Sequence, residues 1–205
     1  MKKIDLKKDK RNHIIRSAAQ AFAQRGYAGT SVAEIAIQAG IGKGTVYEYF
    51  QSKDDLFFAV FEWYVYKTSN RLKINISALG GSATQRLEAL NVAVINLWDE
   101  IGDIFALTME FWSASSASTN RNRIKTAFKD LYRNLRVIVS SLLQDGIERG
   151  EFNGDVDVEA VAAALVGTWD ALFLQAWFDS EFQPLHTAQQ YFKVIIRGLK
   201  KYNSL

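Results

Sequence analysis

Lys43, Thr45, Tyr47, Glu48, Tyr49 and Lys53 gather charges and hydroxyls within eleven residues. Such groups suit phosphate oxygens and base edges. Material for catalysis is thin. The chain has no Cys, so disulfides and thiolate metal sites are excluded, and its two His, His13 and His186, cannot build a zinc site alone. Glu110, Asp170 and His186 are the best material for a helical enzyme, yet no spacing makes a metal site, a nucleophile pair or a phosphate loop. Gly40-Ile-Gly-Lys-Gly-Thr45 imitates a nucleotide loop, but that loop needs Gly-Lys followed directly by Ser or Thr. Here Gly44 follows Lys43, and no strand is predicted ahead of it. The reading is therefore of a protein without catalytic residues, metal or cofactor.

Charge is distributed to match. Residues 1–56 hold ten Lys and Arg against six Asp and Glu, whereas 57–205 hold fifteen against sixteen. A basic head on a near-neutral body is expected when one end meets phosphate and the other does not. With 48% hydrophobic and 23% charged residues the composition is that of a globular protein. No apolar run reaches the roughly 18 residues of a membrane span, and MKKIDLKKDKRNHIIR lacks the apolar core of a signal peptide. A cytoplasmic protein with no membrane partner is expected.

The elements that must position these groups are helical throughout. One Pro, Pro184, and few turn clusters leave long stretches of 3.6-residue periodicity. The pattern predicts helices over about 8–24, 31–39, 43–49, 52–77, 84–100, 103–117, 120–148, 157–180 and 185–202. Ile14, Ile15, Ala18, Ala19 and Phe22 form the inward stripe of the first; Val32, Ile35 and Ala36 form that of the second. Thr30 or Ser31 caps the second helix, Gly40 ends it, and Ser52 caps the fourth. Two short helices on a tight Gly-containing turn suit a unit that lays its second helix in the DNA major groove. Val46 and Phe50 fill the core behind that helix. The expected architecture is all-α, with a three-helix helix-turn-helix head (1–56) joined by a long helix to a helical ligand-binding and dimerisation body (57–205).

The segment Thr30-Ser-Val-Ala-Glu-Ile-Ala-Ile-Gln-Ala-Gly-Ile-Gly-Lys-Gly-Thr-Val-Tyr-Glu-Tyr-Phe-Gln-Ser-Lys-Asp-Asp-Leu-Phe57 resembles the signature of the tetracycline-repressor (TetR) family. The resemblance covers about 50 residues, from the first helix to Phe57. It implies a dimeric transcriptional repressor on a palindromic double-stranded operator, released by a small-molecule effector. It also implies that Thr30 and the start of the second helix touch phosphate, that Lys43, Gly44 and Thr45 meet base edges or nearby backbone, and that Tyr47, Tyr49 and Lys53 clamp phosphates. Two positions depart from the family's pattern. Gly42 stands where a capping Ser is frequent, and Glu48 where His or another neutral polar residue is; a Glu there can accept from cytosine N4. In the body, Gly146-Ile-Glu-Arg-Gly-Glu-Phe152 echoes many members.

The body is rich in rings. Phe105, Met109, Glu110 and Trp112 on one predicted helix, Trp169, Phe173 and Trp177 on another, and Trp63 and Trp98 are candidates for an apolar pocket between helices. A largely apolar or aromatic effector is expected there. The helix near 157–180 carries a second stripe of small residues, Ala160, Ala163, Ala164, Gly167 and Ala171, ending at Leu174. With Phe192, Ile195, Ile196 and Leu199 of the last helix it is the expected face for a symmetry mate, giving a four-helix interface. A DNA-coating protein without a sensor is the other reading; the aromatic helices argue against it.

Overall fold

The computed structural model describes residues 2–77, 80–98, 109 and 121–200, with backbone alone for 2–5, 68–77, 121 and 124. The chain is all-α. Its described helices are α1 (Lys2–Arg25), α2 (Val32–Gln38), α3 (Lys43–Tyr47), α4 (Lys53–Ser77), α5 (Ala83–Ile95), α6 (Arg121–Glu148), α7 (Val158–Phe178) and α8 (Pro184–Leu199). Of the helix expected at 103–117 only Met109 lies among the described residues.

Three boundaries differ from the expected ones by more than two residues. α1 begins at Lys2 rather than near Lys8, because the intervening residues include neither Gly nor Pro and are mostly good helix formers. α5 stops at Ile95, with Asn96 as its C-cap, instead of running to 100. α8 stops at Leu199 because Lys200 turns extended and bridges antiparallel to Phe152.

Contacts divide the chain into two compact units: 1–67 with 103–127, and 68–102 with 128–205. In the first, Ile14, Ile15, Ala18 and Phe22 are at most 2% exposed and α1 packs on α2. Phe22, Tyr27 and Phe57 form a triangle of rings 5.0 to 5.8 Å apart, which joins the end of α1 to α4. Each buried ring contributes about 1.5–3 kcal/mol through the water it sheds. Arg123 of α6 lies 4.0 Å from the Phe58 ring and pairs with Asp55 at 3.0 Å, holding α6 to the start of α4.

In the second unit α8 packs on α5, and α7 packs on both. α7 is long and apolar enough, by length and composition alone, to cross a membrane. Ala162, Leu165, Val166, Trp169, Leu172 and Phe173 are instead buried within the unit. The indole N–H of Trp169 donates to Asn91 Oδ1 at 2.9 Å, so the buried amide and the buried ring satisfy one another.

The Gly146–Phe152 stretch closes this unit. Gly150 takes φ +73° and turns the chain sharply after α6. That turn folds Phe152 back onto Gly146, where an added Cβ would sit 2.2 Å from the ring and 3.0 Å from Ala83. Phe152 is wholly buried. The neighbouring Glu151 accepts from the backbone N–H groups of Ala83 and Thr84 at 2.8 and 3.1 Å, and from the Thr84 hydroxyl at 3.2 Å. A carboxylate thus satisfies orphan donors at the start of α5, where the helix dipole favours it.

Two outcomes follow from that closure. Gly146→Ala is expected to destabilise by about 1–3 kcal/mol through overpacking, read as a lower urea midpoint at unchanged slope. Burial pushes the Glu151 carboxyl up, but the donors of Ala83 and Thr84 outweigh it and hold the group below its ordinary 4.5. Its stabilising share is therefore complete above that value and lost as pH falls through the depressed pKa. Unfolding followed from pH 6 down to pH 3 should show this loss, and Glu151→Gln should flatten it.

Candidate nucleic-acid interface

The head is built around α2 and α3. Ser31 and Glu34 form a reciprocal capping box: Ser31 Oγ accepts from the Glu34 N–H at 3.2 Å, and the Ser31 N–H donates to Glu34 Oε2 at 2.8 Å. These bonds, the backbone one first, with Arg25 beside them, hold the Glu34 carboxyl below its ordinary range. Gly40 ends α2 at φ +64°, and the N–H of Ile41 returns to the Ala36 carbonyl at 3.0 Å. This is the helix stop that glycine makes without strain. His13 of α1 lies 3.0 Å from the Ala39 carbonyl, fastening the turn to the first helix.

α3 is five residues long, far below what is stable alone. Val46, 1% exposed, and Phe50, 2% exposed, seat it in the core as the sequence predicts. Lys43, Gly44, Tyr47 and Glu48 then face outward together, while Thr45 and Tyr49 are half-buried beside them. The Lys43 ammonium lies 5.9 Å from the Tyr47 ring. A Cβ at Gly44 would meet nothing within 4 Å. The protein's own packing does not require glycine there, and the bare backbone stays open to close approach from outside. Gly42, the N-cap, makes no side-chain cap bond.

An open cleft of about 440 Å³ brings together Thr30, Ser31, Glu34, Lys43, Tyr47 and Lys53. Two of these do more internal work than the sequence suggests. Thr30 is 2% exposed, and its hydroxyl donates to the Ala21 and Gly26 carbonyls at 3.2 and 2.7 Å. The expectation of a phosphate contact from this side chain is corrected: the hydroxyl is turned inward, and exposed Ser31 stands at the rim. Lys53 donates to the carbonyls of Tyr27 and Thr30 at 2.8 and 3.0 Å and sits 4.2 Å from the Tyr27 ring. It fixes the start of α4 to the loop before α2 while still lining the cleft. Tyr27, whose hydroxyl donates to Asp54, is a residue that sequence reasoning misses. Only its place just after Gly26, at the end of α1, hints at a structural role.

The body's candidates divide. Trp98 stacks on Phe173 with ring centroids 5.5 Å apart, and Trp169, one turn earlier on α7, is buried. Trp177 is 42% exposed beside Phe178 and turns to the surface. Trp63 packs on Tyr64 in the other unit, and Met109 is half-buried. Phe105, Glu110 and Trp112 lie outside the described residues. On α7, Ala160, Ala163, Ala164, Gly167, Ala171 and Leu174 are all exposed. Phe192, Ile196 and Leu199 are a correction. They are at most 5% exposed, buried within the unit as α8 packs on α5, and Ile195 is half-buried. The large apolar side chains exposed on α7 and α8 are instead Leu174, Trp177, Phe178 and Val194.

A capped helix, a glycine stop and a short second helix with an exposed polar face define a helix-turn-helix reader of duplex DNA. Comparison with known proteins agrees. Residues 14–60 match the family model for bacterial regulatory proteins of the tetR family, and residues 111–192 match the tetracyclin repressor-like C-terminal domain. The HTH-type transcriptional repressor KstR2 of Rhodococcus jostii (strain RHA1) is 26% identical over 199 residues, 94% of this chain and 92% of that protein. A TetR transcription regulator from Haloarcula marismortui shares the fold at a TM-score of 0.82 and 21% identity, over 95% of this chain and 100% of that one. FadR of Bacillus subtilis, solved with stearoyl-CoA, does so at 0.73 and 22%, over 91% and 98%. The chain belongs to the TetR family of DNA-binding transcriptional regulators.

The geometry separates two kinds of substitution. Lys43→Ala and Tyr47→Ala should each weaken duplex binding by about 1–3 kcal/mol with thermal unfolding unchanged. Lys53→Ala should also cost about 1–3 kcal/mol of stability, because two carbonyls lose their donor. Calorimetry beside a DNA-binding titration separates the two classes.

Proposed function

We propose that the protein is a homodimeric repressor that occupies a palindromic operator and leaves it when a small, largely apolar or aromatic molecule binds the body. The observation that carries the reading is the single exposed α3 face, Lys43, Gly44, Tyr47 and Glu48, presented by each chain. One reading helix per protomer suits a two-fold symmetric site, with half-site centres about one helical turn apart or a small multiple of it. The uncovered stripe of α7 supports the dimer. It is small-residued where two helices would cross closely, and Leu174, Trp177 and Phe178 extend it with apolar surface. The contributors are Ala160, Ala163, Ala164, Gly167, Ala171 and Leu174 of α7, with half-buried Ile195 of α8.

The Trp98–Phe173 stack supports an apolar effector, since aromatic surface between helices suits flat or greasy molecules. Trp63, Met109 and Trp169, with Phe105, Glu110 and Trp112, remain the wider set proposed to line its path. That FadR was captured with stearoyl-CoA, and that KstR2 is named a repressor, favour the same reading. The effector must bind one arrangement of the reading heads better than the other. α4, which begins at the Lys53 junction and continues unbroken to Ser77, is the element proposed to carry the shift.

Gly167 gives a clean test of the dimer. An added Cβ there meets nothing within 4 Å, so Gly167→Trp should leave the protomer folded. Light scattering should show a wild-type dimer and a Gly167→Trp monomer with weakened operator binding; a wild-type monomer at micromolar concentration would sink the proposal. For the sensor, a library compound that raises thermal stability should quench tryptophan fluorescence and release DNA in step. Release that survives Phe173→Ala undiminished would place the effector elsewhere.

A further inference from the structure

We infer that the basic N-terminal turns of α1 form a second DNA-contacting element, in which Lys7 and Lys10, on the face anchored by Arg11, bind backbone phosphates of duplex DNA flanking the segment read by α3. The inference rests on the head's being a DNA reader and adds a surface outside the helix-turn-helix. Its starting point is a shortage of charge. Between Gly26 and Ser52, which includes all of α2 and α3, the sequence holds one cation, Lys43, against Glu34 and Glu48. The next, Lys53, already serves two carbonyls. Neutralised phosphates supply essentially all of the sequence-independent affinity for DNA, so a helix-turn-helix with net negative charge needs cations from elsewhere.

α1 has them in register. Lys7, Lys10 and Arg11 stand seven, four and three residues before Ile14, so they continue upstream the stripe that Ile14, Ala18 and Ala21 bury downstream. Where the core ends, the same face turns basic. Residues 6–11 are all exposed, so no described element covers them. The overhang is also held in place. The Arg11 guanidinium lies 5.2 Å from the ring of Phe50, just past α3, and His13 meets the Ala39 carbonyl in the turn. The cations therefore sit at a fixed position beside the reading helix. At about 1.5 Å per residue, Lys7 lies roughly 10 Å along the axis beyond Ile14, which extends the footprint past the surface that α3 presents.

The test uses the full chain and a random-sequence DNA duplex. Lys7→Gln/Lys10→Gln should keep wild-type circular dichroism, melting temperature and oligomeric state, because both side chains are exposed. The slope of log K against log salt should become shallower by about 0.9 for each phosphate that is no longer neutralised, close to 2 per protomer. Lys43→Ala, measured alongside, reports on the head itself. An unchanged slope in the double variant, with Lys43→Ala still weakening binding, would overturn the arm and leave the reading head standing. Wild-type protein that binds no duplex would overturn both. Loss of binding to phosphatidylserine-containing vesicles in the double variant, with the DNA slope unchanged, would reassign the stripe to a lipid surface and also overturn the inference.

Discussion

The ammonium of Lys53 sits where three parts of the head converge: the carbonyl of Tyr27 just after α1, the carbonyl of Thr30 just before α2, and the first residue of α4. Loop carbonyls at such a junction have no helical partner of their own, and leaving them dry costs about as much as a lost hydrogen bond. One cation satisfies two of them and rests on the Tyr27 ring besides. Because Thr30 directly precedes the Ser31 cap, fixing its carbonyl also fixes where α2 starts and how it is aimed. Lys53 therefore joins the Phe22–Tyr27–Phe57 rings and the Tyr27–Asp54 bond in setting the orientation of the reading unit relative to the first turn of α4. A rotation of α4 about its own axis cannot leave α2 and α3 behind unless the two Lys53 bonds break.

The second unit uses the same device with the charge reversed. There the carboxylate of Glu151 meets the bare N–H groups at the start of α5 from 68 residues away in sequence. Gly146 and Gly150 make that reach possible, one by admitting the Phe152 ring and the other by taking a positive φ. The short bridge from Phe152 to Lys200 and the bond from the Asn153 N–H to the Leu199 carbonyl then end α8 at the same place. In both units a charged side chain stands at a helix end as the remote partner of backbone groups.

The features legible in the sequence are the local ones. The Ser31–Glu34 cap, the Gly40 stop, the burial of Val46 and Phe50, and the Ser52 cap on Asp55 depend on residues within a few positions of one another. Those that are not legible depend on distant partners. Thr30 looks like a phosphate ligand until the fold of the loop back onto α1 brings the Gly26 and Ala21 carbonyls to its hydroxyl. Phe192, Ile196 and Leu199 make a stripe that fits a symmetry mate as well as it fits α5, and period alone cannot choose between two apolar neighbours. α1 starts earlier than its pattern predicts because a charged stretch carries no apolar period, although its backbone propensity is good.

α3 shows why the reading surface cannot be treated as a helix in its own right. Five residues with an uncapped glycine start have no intrinsic stability, so its order comes from its surroundings. Val46 and Phe50 supply it from the core behind. Phe50 in turn carries Arg11 of α1 on its ring, and α1 holds the turn through His13. Removing side-chain bulk behind α3 would loosen the exposed face as a whole rather than one side chain within it. On the proposed reading, specificity depends on two separable things: which groups Lys43, Tyr47 and Glu48 present, and how rigidly α1 and α4 hold the backbone that presents them. An effector acting through α4 has access only to the second, so it can change where the surface is held without altering which bases the surface prefers.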